Sequence, residues 1–420
     1  MSLHNVLLVA AELGPEERYV LLRLGLPMHV AEPLELGVRA LAKVLGMSEA
    51  KLSQAIRGLI RWGIVVDARQ PNGRGRPKQL LKLDEAWGID LLSELVVQTP
   101  NIDVISQLLN SCSRGERAGK SLERMAGARS ARLPGSLSVV NCLLLTVLWS
   151  FADPFGVVEG VGSKELCKLT GLDQSSLKHR LGRLAEQGLV SAYVPGGYSR
   201  MLGGRLESVY VLNCSHPLLV RVHRRPVLLD YFSVRGLTSN EEYWPWTYQH
   251  HAEVLHRFDK DPLSYGESIL GRYHWVVRRD ESAVYFRQLP LRLCQYAHTV
   301  LSCHRERSLN RPFVEDLLRD CILKDFRGAG VSDGRLWAKL CQVVPAATVM
   351  SEPDLRTESA DAQRDLVHVV CGYVQKMVGI IRSRAGYIDA GDWASYRILW
   401  LSHMKGSEGF SLLRYGGVGD

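Results

Sequence analysis

Sliding the chain along itself by 125 residues superimposes two segments. Leu41, Lys43, Gly46, Leu52, Leu59 and Gly63 fall on Leu166, Lys168, Gly171, Leu177, Leu184 and Gly188. Met47, Ser48, Ile64 and Val65 meet the similar Leu172, Asp173, Leu189 and Val190. Glycines and leucines matching together at one offset over about 25 residues mark a duplicated module, and two copies do not make a solenoid.

Each copy reads as the same series of elements. A short helix, Val38 to Leu45 or Ser163 to Thr170, runs into a glycine suited to a left-handed C-cap. One apolar residue and an N-cap follow, Ser48 or Asp173. The second helix carries apolar Leu52, Ile56, Leu59 and Ile60, or Leu177, Leu181 and Leu184, at helical spacing. Gly63 and Gly188 stop these helices, and Ile64-Val65-Val66 and Leu189-Val190 begin strands. Return strands are expected at Gln79 to Leu83 and Ser208 to Leu212. Preceding helices over Pro15 to Leu24 and Leu137 to Phe151 would complete each core. Helix, tight turn, helix and hairpin is the winged helix-turn-helix plan.

Composition places the copies in a larger chain. At 420 residues, two to four domains are expected, and a hydrophobic fraction of 46% suits a globular protein. The net charge is +8. Residues 1–230 hold 28 Lys/Arg against 21 Asp/Glu, whereas residues 231–420 hold 24 against 23. A basic excess concentrated in the first half favours a polyanionic partner there. Nine scattered cysteines, an odd number, fit reduced thiols rather than a secreted disulfide framework. Met1 to Gly14 lacks a basic segment and cleavage-like site, so no signal peptide is expected. Leu137 to Ala152 is apolar but short for a membrane span, as a buried helix would be.

The second helix of a helix-turn-helix enters the major groove, where its outward residues meet base edges and phosphates. In the first copy Lys51, Ser53, Gln54, Arg57 and Arg61 lie opposite the apolar stripe. The second offers Gln174, Ser175, Lys178, His179 and Arg183. Between the first pair of strands runs Pro71-Asn72-Gly73-Arg74-Gly75-Arg76-Pro77-Lys78, whose Arg-Gly-Arg-Pro core resembles the centre of an AT-hook. Glycine lets backbone approach a narrow minor groove, whose concentrated negative potential attracts guanidinium groups. That makes Arg74, Arg76 and Lys78 candidate contacts. In the longer second wing, Arg200 and Arg205 could reach phosphates or simply sit on a solvated hairpin.

Residues 15–83 resemble the winged helix-turn-helix of MarR-type bacterial transcription regulators, on the strength of Ala40 to Val65 and the Gly-Arg-Gly-Arg-Pro-Lys wing. The resemblance implies base contacts from Gln54 and Arg57 and minor-groove contacts from Arg74 and Arg76. MarR-type proteins are short single-module dimers, and this chain departs from them in its second module and long C-terminal region. Tandem winged helices on one chain also resemble plasmid replication initiators.

No catalytic constellation, cofactor motif or phosphate-binding loop emerges. Cys294, His298, Cys303 and His304 match no zinc spacing, and His250, His251 and His256 beside Asp259 and Asp261 lack a supporting carboxylate framework. The expected fold is mainly α with small β-hairpin wings, an α+β chain in four parts. Residues 1–85 form the first winged helix-turn-helix and 86–134 a helix (Ala86 to Leu109) with a flexible basic linker. Residues 135–215 form the second module, and 216–420 a mostly helical C-terminal domain for oligomerisation, partner or effector. Helices are expected there over Val314 to Leu323, Gly334 to Val344 and Asp361 to Arg384. The Tyr243-Trp244-Pro245-Trp246 cluster reads as a hydrophobic anchor. The functional expectation is a cytoplasmic, nucleoid-associated, non-enzymatic binder of double-stranded DNA without a metal, a homo-oligomeric bacterial transcription regulator. The alternatives are a replication initiator or partition-type protein of a mobile element, or a nucleic-acid enzyme with winged-helix targeting domains.

Overall fold

The computed structural model of the chain describes residues 3–9, 11–25, 37–70, 78–84, 99, 101–111, 137–199, 202, 204–219, 226–233, 283–303, 311–326, 367–368, 370–383, 395–402 and 408–415. They are mainly helical, with small antiparallel sheets, and the chain divides into two compact units. The first unit comprises Met1–Tyr193 and Ser208–Arg225; the second comprises Val194–Glu207 and Pro226–Asp420.

The first unit is built around an apolar helix. In order come α1 (Leu3–Val9), α2 (Pro15–Gly25), α3 (Val38–Leu45), α4 (Glu49–Arg61), β1 (Val65–Gln70) and β2 (Lys78–Leu83). Then follow α5 (Ile102–Ser111), α6 (Val139–Phe151), β3 (Val157–Val158), α7 (Ser163–Thr170), α8 (Gln174–Glu186) and β4 (Val190–Val194). After the second wing, β7 (Val209–Leu212) completes a three-stranded sheet of order β3-β7-β4. α6 is buried from Val140 to Ser150, all the way round. A helix with no polar face needs cover on every side. Its own repeat supplies α7 on one side, and α1, α2 and α5 supply the rest. One continuous core therefore runs through both repeats, from Leu3, Leu22 and Leu59 to Leu148, Leu184 and Tyr210.

That shared core differs from the expectation of two separate domains joined by a flexible linker. The duplicated elements stand where the repeat places them, but the repeats are packed into one unit. α5 tightens the packing: Asn101 donates through Nδ2 to the carbonyls of Trp149 (3.1 Å) and Ala152 (2.9 Å), and Arg23 Nη1 donates to Asn110 Oδ1 (2.5 Å). Residues 86–98 and 112–136, which hold the start of the expected helix and most of the basic stretch, lie outside the described residues.

The second unit contains the second wing, β5 (Gly197–Ser199) and β6 (Gly204–Leu206), and the C-terminal elements. β8 (Pro226–Ser233), β9 (Tyr396–Ser402) and β10 (Glu408–Tyr415) form an antiparallel sheet with β10 in the centre, an addition to the helices expected there. Among the described residues it is accompanied by α9 (Ala283–Cys303), α10 (Arg311–Asp325) and a helix over 370–383. α10 covers the expected Val314 to Leu323, and 370–383 covers part of Asp361 to Arg384. Residues 334–344 and 243–246 lie outside the described residues. α9 packs on β9 and meets α10, where the Tyr296 hydroxyl donates to Asp325 Oδ2 (2.7 Å) and Tyr285 meets Phe326 edge-on. Among the described residues, no helix is long and apolar enough to cross a membrane.

Candidate nucleic-acid interface

The two repeats make the same pair of turns with the same backbone bonds. The first helix of each ends on a left-handed glycine, Gly46 at φ +66° and Gly171 at φ +71°. Ser48 Oγ then accepts from the Lys51 N–H (3.4 Å), and Asp173 Oδ1 from the Ser176 N–H (2.8 Å), each opening the second helix. The exits match too. Ile64 N–H bonds to the Leu59 carbonyl and Leu189 N–H to the Leu184 carbonyl, both at 2.9 Å, around left-handed Gly63 and Gly188. These are Schellman closures, and they aim each helix at the strand that follows.

With the apolar stripe inward, the candidate residues fall on the outer face. On α4, Leu52, Ala55, Ile56 and Leu59 are buried, Lys51, Gln54, Arg57 and Arg61 are exposed, and Ser53 is half-buried. Lys51 Nζ is paired with Glu16 Oε1 at 2.8 Å, and Arg57 Nε donates to the Ser53 carbonyl of its own helix (3.2 Å). On α8, Gln174, Ser175, Lys178, His179 and Arg183 are all exposed. Ser175 donates its hydroxyl to Asp173 Oδ1 (2.6 Å), and Arg183 Nη1 pairs with Glu186 Oε2 (2.9 Å). The bonds from Ser175 and Ser176 hold the Asp173 carboxyl well below its ordinary pKa, so the cap is charged near neutral pH.

The wings are less complete. β1 and β2 pair from Val65↔Leu83 to Gln70↔Lys78, so Lys78 opens β2. Its side chain, and Arg74, Arg76 and Arg200 altogether, lie outside the described residues. Arg205 is exposed on β6. The second wing is held within its unit by α9. The Gln288 side chain, buried, donates through Nε2 to the carbonyls of Glu207 (3.1 Å) and Pro195 (3.4 Å), clipping the base of the hairpin. A Cβ on Gly197 would come within 2.6 Å of Val284 Cγ2.

Motif reading passed over three residues that set the helices in place. Arg180 donates through Nη1 to Asn141 Oδ1 (2.9 Å) and Ser138 Oγ (3.5 Å), tying α8 to the start of α6. Its place three residues after Leu177 and four before Leu184 marks it as flanking the buried stripe, a signal available in the sequence. Glu17 accepts the Gly14 N–H at Oε2 (2.7 Å) and lies against α4, where a Cβ on Gly58 would come within 2.6 Å of its Cδ. Arg18 is the third. Its partners are backbone carbonyls, which no sequence pattern announces.

Among the described residues, no group of three or more His, Cys, Asp or Glu could hold a metal ion. Cys294 is buried, and burial pushes its thiol pKa up. Burial together with nearby Arg397 lowers the His298 pKa, while His304 lies outside the described residues. Compared with protein-family models, curated proteins and solved structures, the chain matches none of them.

Proposed function

We propose that both repeats are winged helix-turn-helix modules and that the chain binds double-stranded DNA sequence-specifically, as a bacterial transcription regulator. The observation that carries this reading is the repeated geometry. Twice, a left-handed glycine and a capped start present a second helix with its polar and basic side outward, followed by a hairpin. Gln54 and Gln174 suit adenine edges, and Arg57, Arg61 and Arg183 suit guanine edges or phosphates. The basic excess of residues 1–230 supports the same partner.

Titration of the full chain against duplex DNA across a salt series tests it. Affinity should fall as salt rises, with a log–log slope of about −0.9 for each phosphate neutralised. A salt-independent signal, or no preference for duplex over single strands, would count against the reading. Iterated direct repeats in the footprint would move it to a replication initiator or partition-type protein, and metal-dependent cleavage of the bound duplex to a nucleic-acid enzyme.

A further inference from the structure

Three consecutive residues in the first turn of α2 touch both repeats. Glu16 pairs with Lys51 of α4, and Glu17 packs where α4 has Gly58. Arg18 turns the other way. It is 1% exposed, and its guanidinium spans the repeat boundary: Nε donates to the Leu13 carbonyl (2.8 Å), Nη2 to the Ala11 carbonyl (2.6 Å) and Nη1 to the Lys168 carbonyl. Lys168 lies in the last turn of α7, whose carbonyls form the negative end of the helix dipole. The planar guanidinium spreads its donors over three nitrogens in fixed directions, one for each carbonyl; an ammonium has its three donors on a single nitrogen and cannot reproduce that geometry.

The turn that follows is pinned from the same side. Gly171 sits at φ +71°, and a Cβ there would come within 2.9 Å of the Leu13 carbonyl oxygen and 3.3 Å of Arg18 Nε. Two residues later Asp173 caps α8. The first turn of α2 thus grips α4 on one side and the turn that launches α8 on the other. α1 lies on α7, and α1 and α2 both lie on α6, so the grip is embedded in packed helices.

We infer that Arg18 is the positioning residue that fixes the separation of α4 and α8, so that the DNA site is two half-sites at a single spacing. This rests on the reading of both repeats as DNA modules. Tethered modules would accept several spacings; a rigid pair accepts one, because each inserted base pair both shifts and rotates the second half-site along a helix of about 10.5 base pairs per turn.

Selection of bound duplexes from a random library, using the full chain, tests this directly. The expected product is a bipartite motif at one spacing. One base pair added or removed between the halves should lower affinity about a hundredfold, the loss when two linked modules can no longer engage together. Arg18→Lys keeps the charge without the fork; it should flatten the spacing dependence while leaving the half-site sequences unchanged. Thermal melting establishes which variants are folded, and the wild-type selection needs no variant. A motif bound equally at several spacings, or a single half-site, overturns the inference and leaves DNA binding standing. Failure to enrich any duplex overturns both.

Discussion

At matching positions of the two repeats stand Ala55 and Arg180. Ala55 is buried in α4, whereas Arg180 reaches from α8 to Asn141 and Ser138 at the start of α6. The reverse holds at the surface. α4 presents Arg57 and Arg61, while on α8 Arg183 is paired with Glu186. The first repeat ends in a two-stranded hairpin; the second adds Val157–Val158 to make three strands, and its wing is clipped by Gln288. One turn geometry has thus been kept in two settings: the first helix packs Ala55 inward and keeps Arg57 and Arg61 outward with Lys51 paired to Glu16, the second is tied by Arg180 and has Arg183 paired to Glu186. The lesson is that a duplicated turn geometry can be anchored by different chemistry in each copy.

The largest effect expected from testing that contrast is on stability. Gly188 and Gly171 share φ +71°, but nothing lies within 4 Å of a Cβ at Gly188, whereas Gly171 faces the Leu13 carbonyl. Gly188→Ala should cost about 1–2 kcal/mol, the left-handed penalty alone. Gly171→Ala should cost about 2–4 kcal/mol, because overpacking against fixed backbone adds to it. Urea unfolding of both variants measures the difference, and equal losses would mean that the turn of the second repeat is not pinned.

A smaller effect separates the two outer faces. Arg57→Ala with Arg61→Ala should weaken duplex binding and flatten the salt slope by about 1–2. Lys178→Ala with Arg183→Ala should do less, since Arg183 must first leave Glu186, although an exposed pair of this kind is worth only about 0.2–1 kcal/mol. Fluorescence anisotropy across a salt series compares them. A larger loss from the second pair would make α8 the main reader.

Where the duplication was visible, it was visible because local chemistry wrote it. Left-handed glycines, short polar caps and apolar spacing at three and four residues are properties of a few adjacent residues, and the elements they imply stand within a residue or two of their expected limits. The joining of the repeats was not legible in the same way. Nothing in the sequence singles out Arg18, since carbonyls 5, 7 and 150 residues away carry no side-chain signature. One clue was present: Val139–Phe151 is too apolar to be covered by a single small module. The sheet of the second unit was equally hidden, because β8 pairs with β10 about 180 residues later, across a register shift between Leu412 and Leu413.

The finest distinction lies between the caps. Ser48 does not titrate in the accessible range, while Asp173 does. Its folded pKa is depressed, so its contribution is complete above the unfolded carboxylate value of about 3.9 and disappears as pH falls through the folded value. Asp173→Asn keeps a capping oxygen without the titration. Wild-type stability should therefore fall more steeply than that of the variant as pH drops below about 4, read from acid-range thermal melts. Parallel curves would show that the carboxylate is not the grip on α8.

The buried helix α6 also sets the timing of synthesis. Leu3, Val6 and Leu7 leave the ribosome well ahead of α6 and α7, on which their helix lies and which follow more than 130 residues later. At roughly 5–20 residues per second, the N-terminal helix waits about ten to thirty seconds for its seat. Throughout that interval the nascent first repeat carries an uncovered greasy flank and an Arg18 with one of its three acceptors still untranslated. The first helix of the first unit thus finds its seat only once α6 and α7 have followed it out.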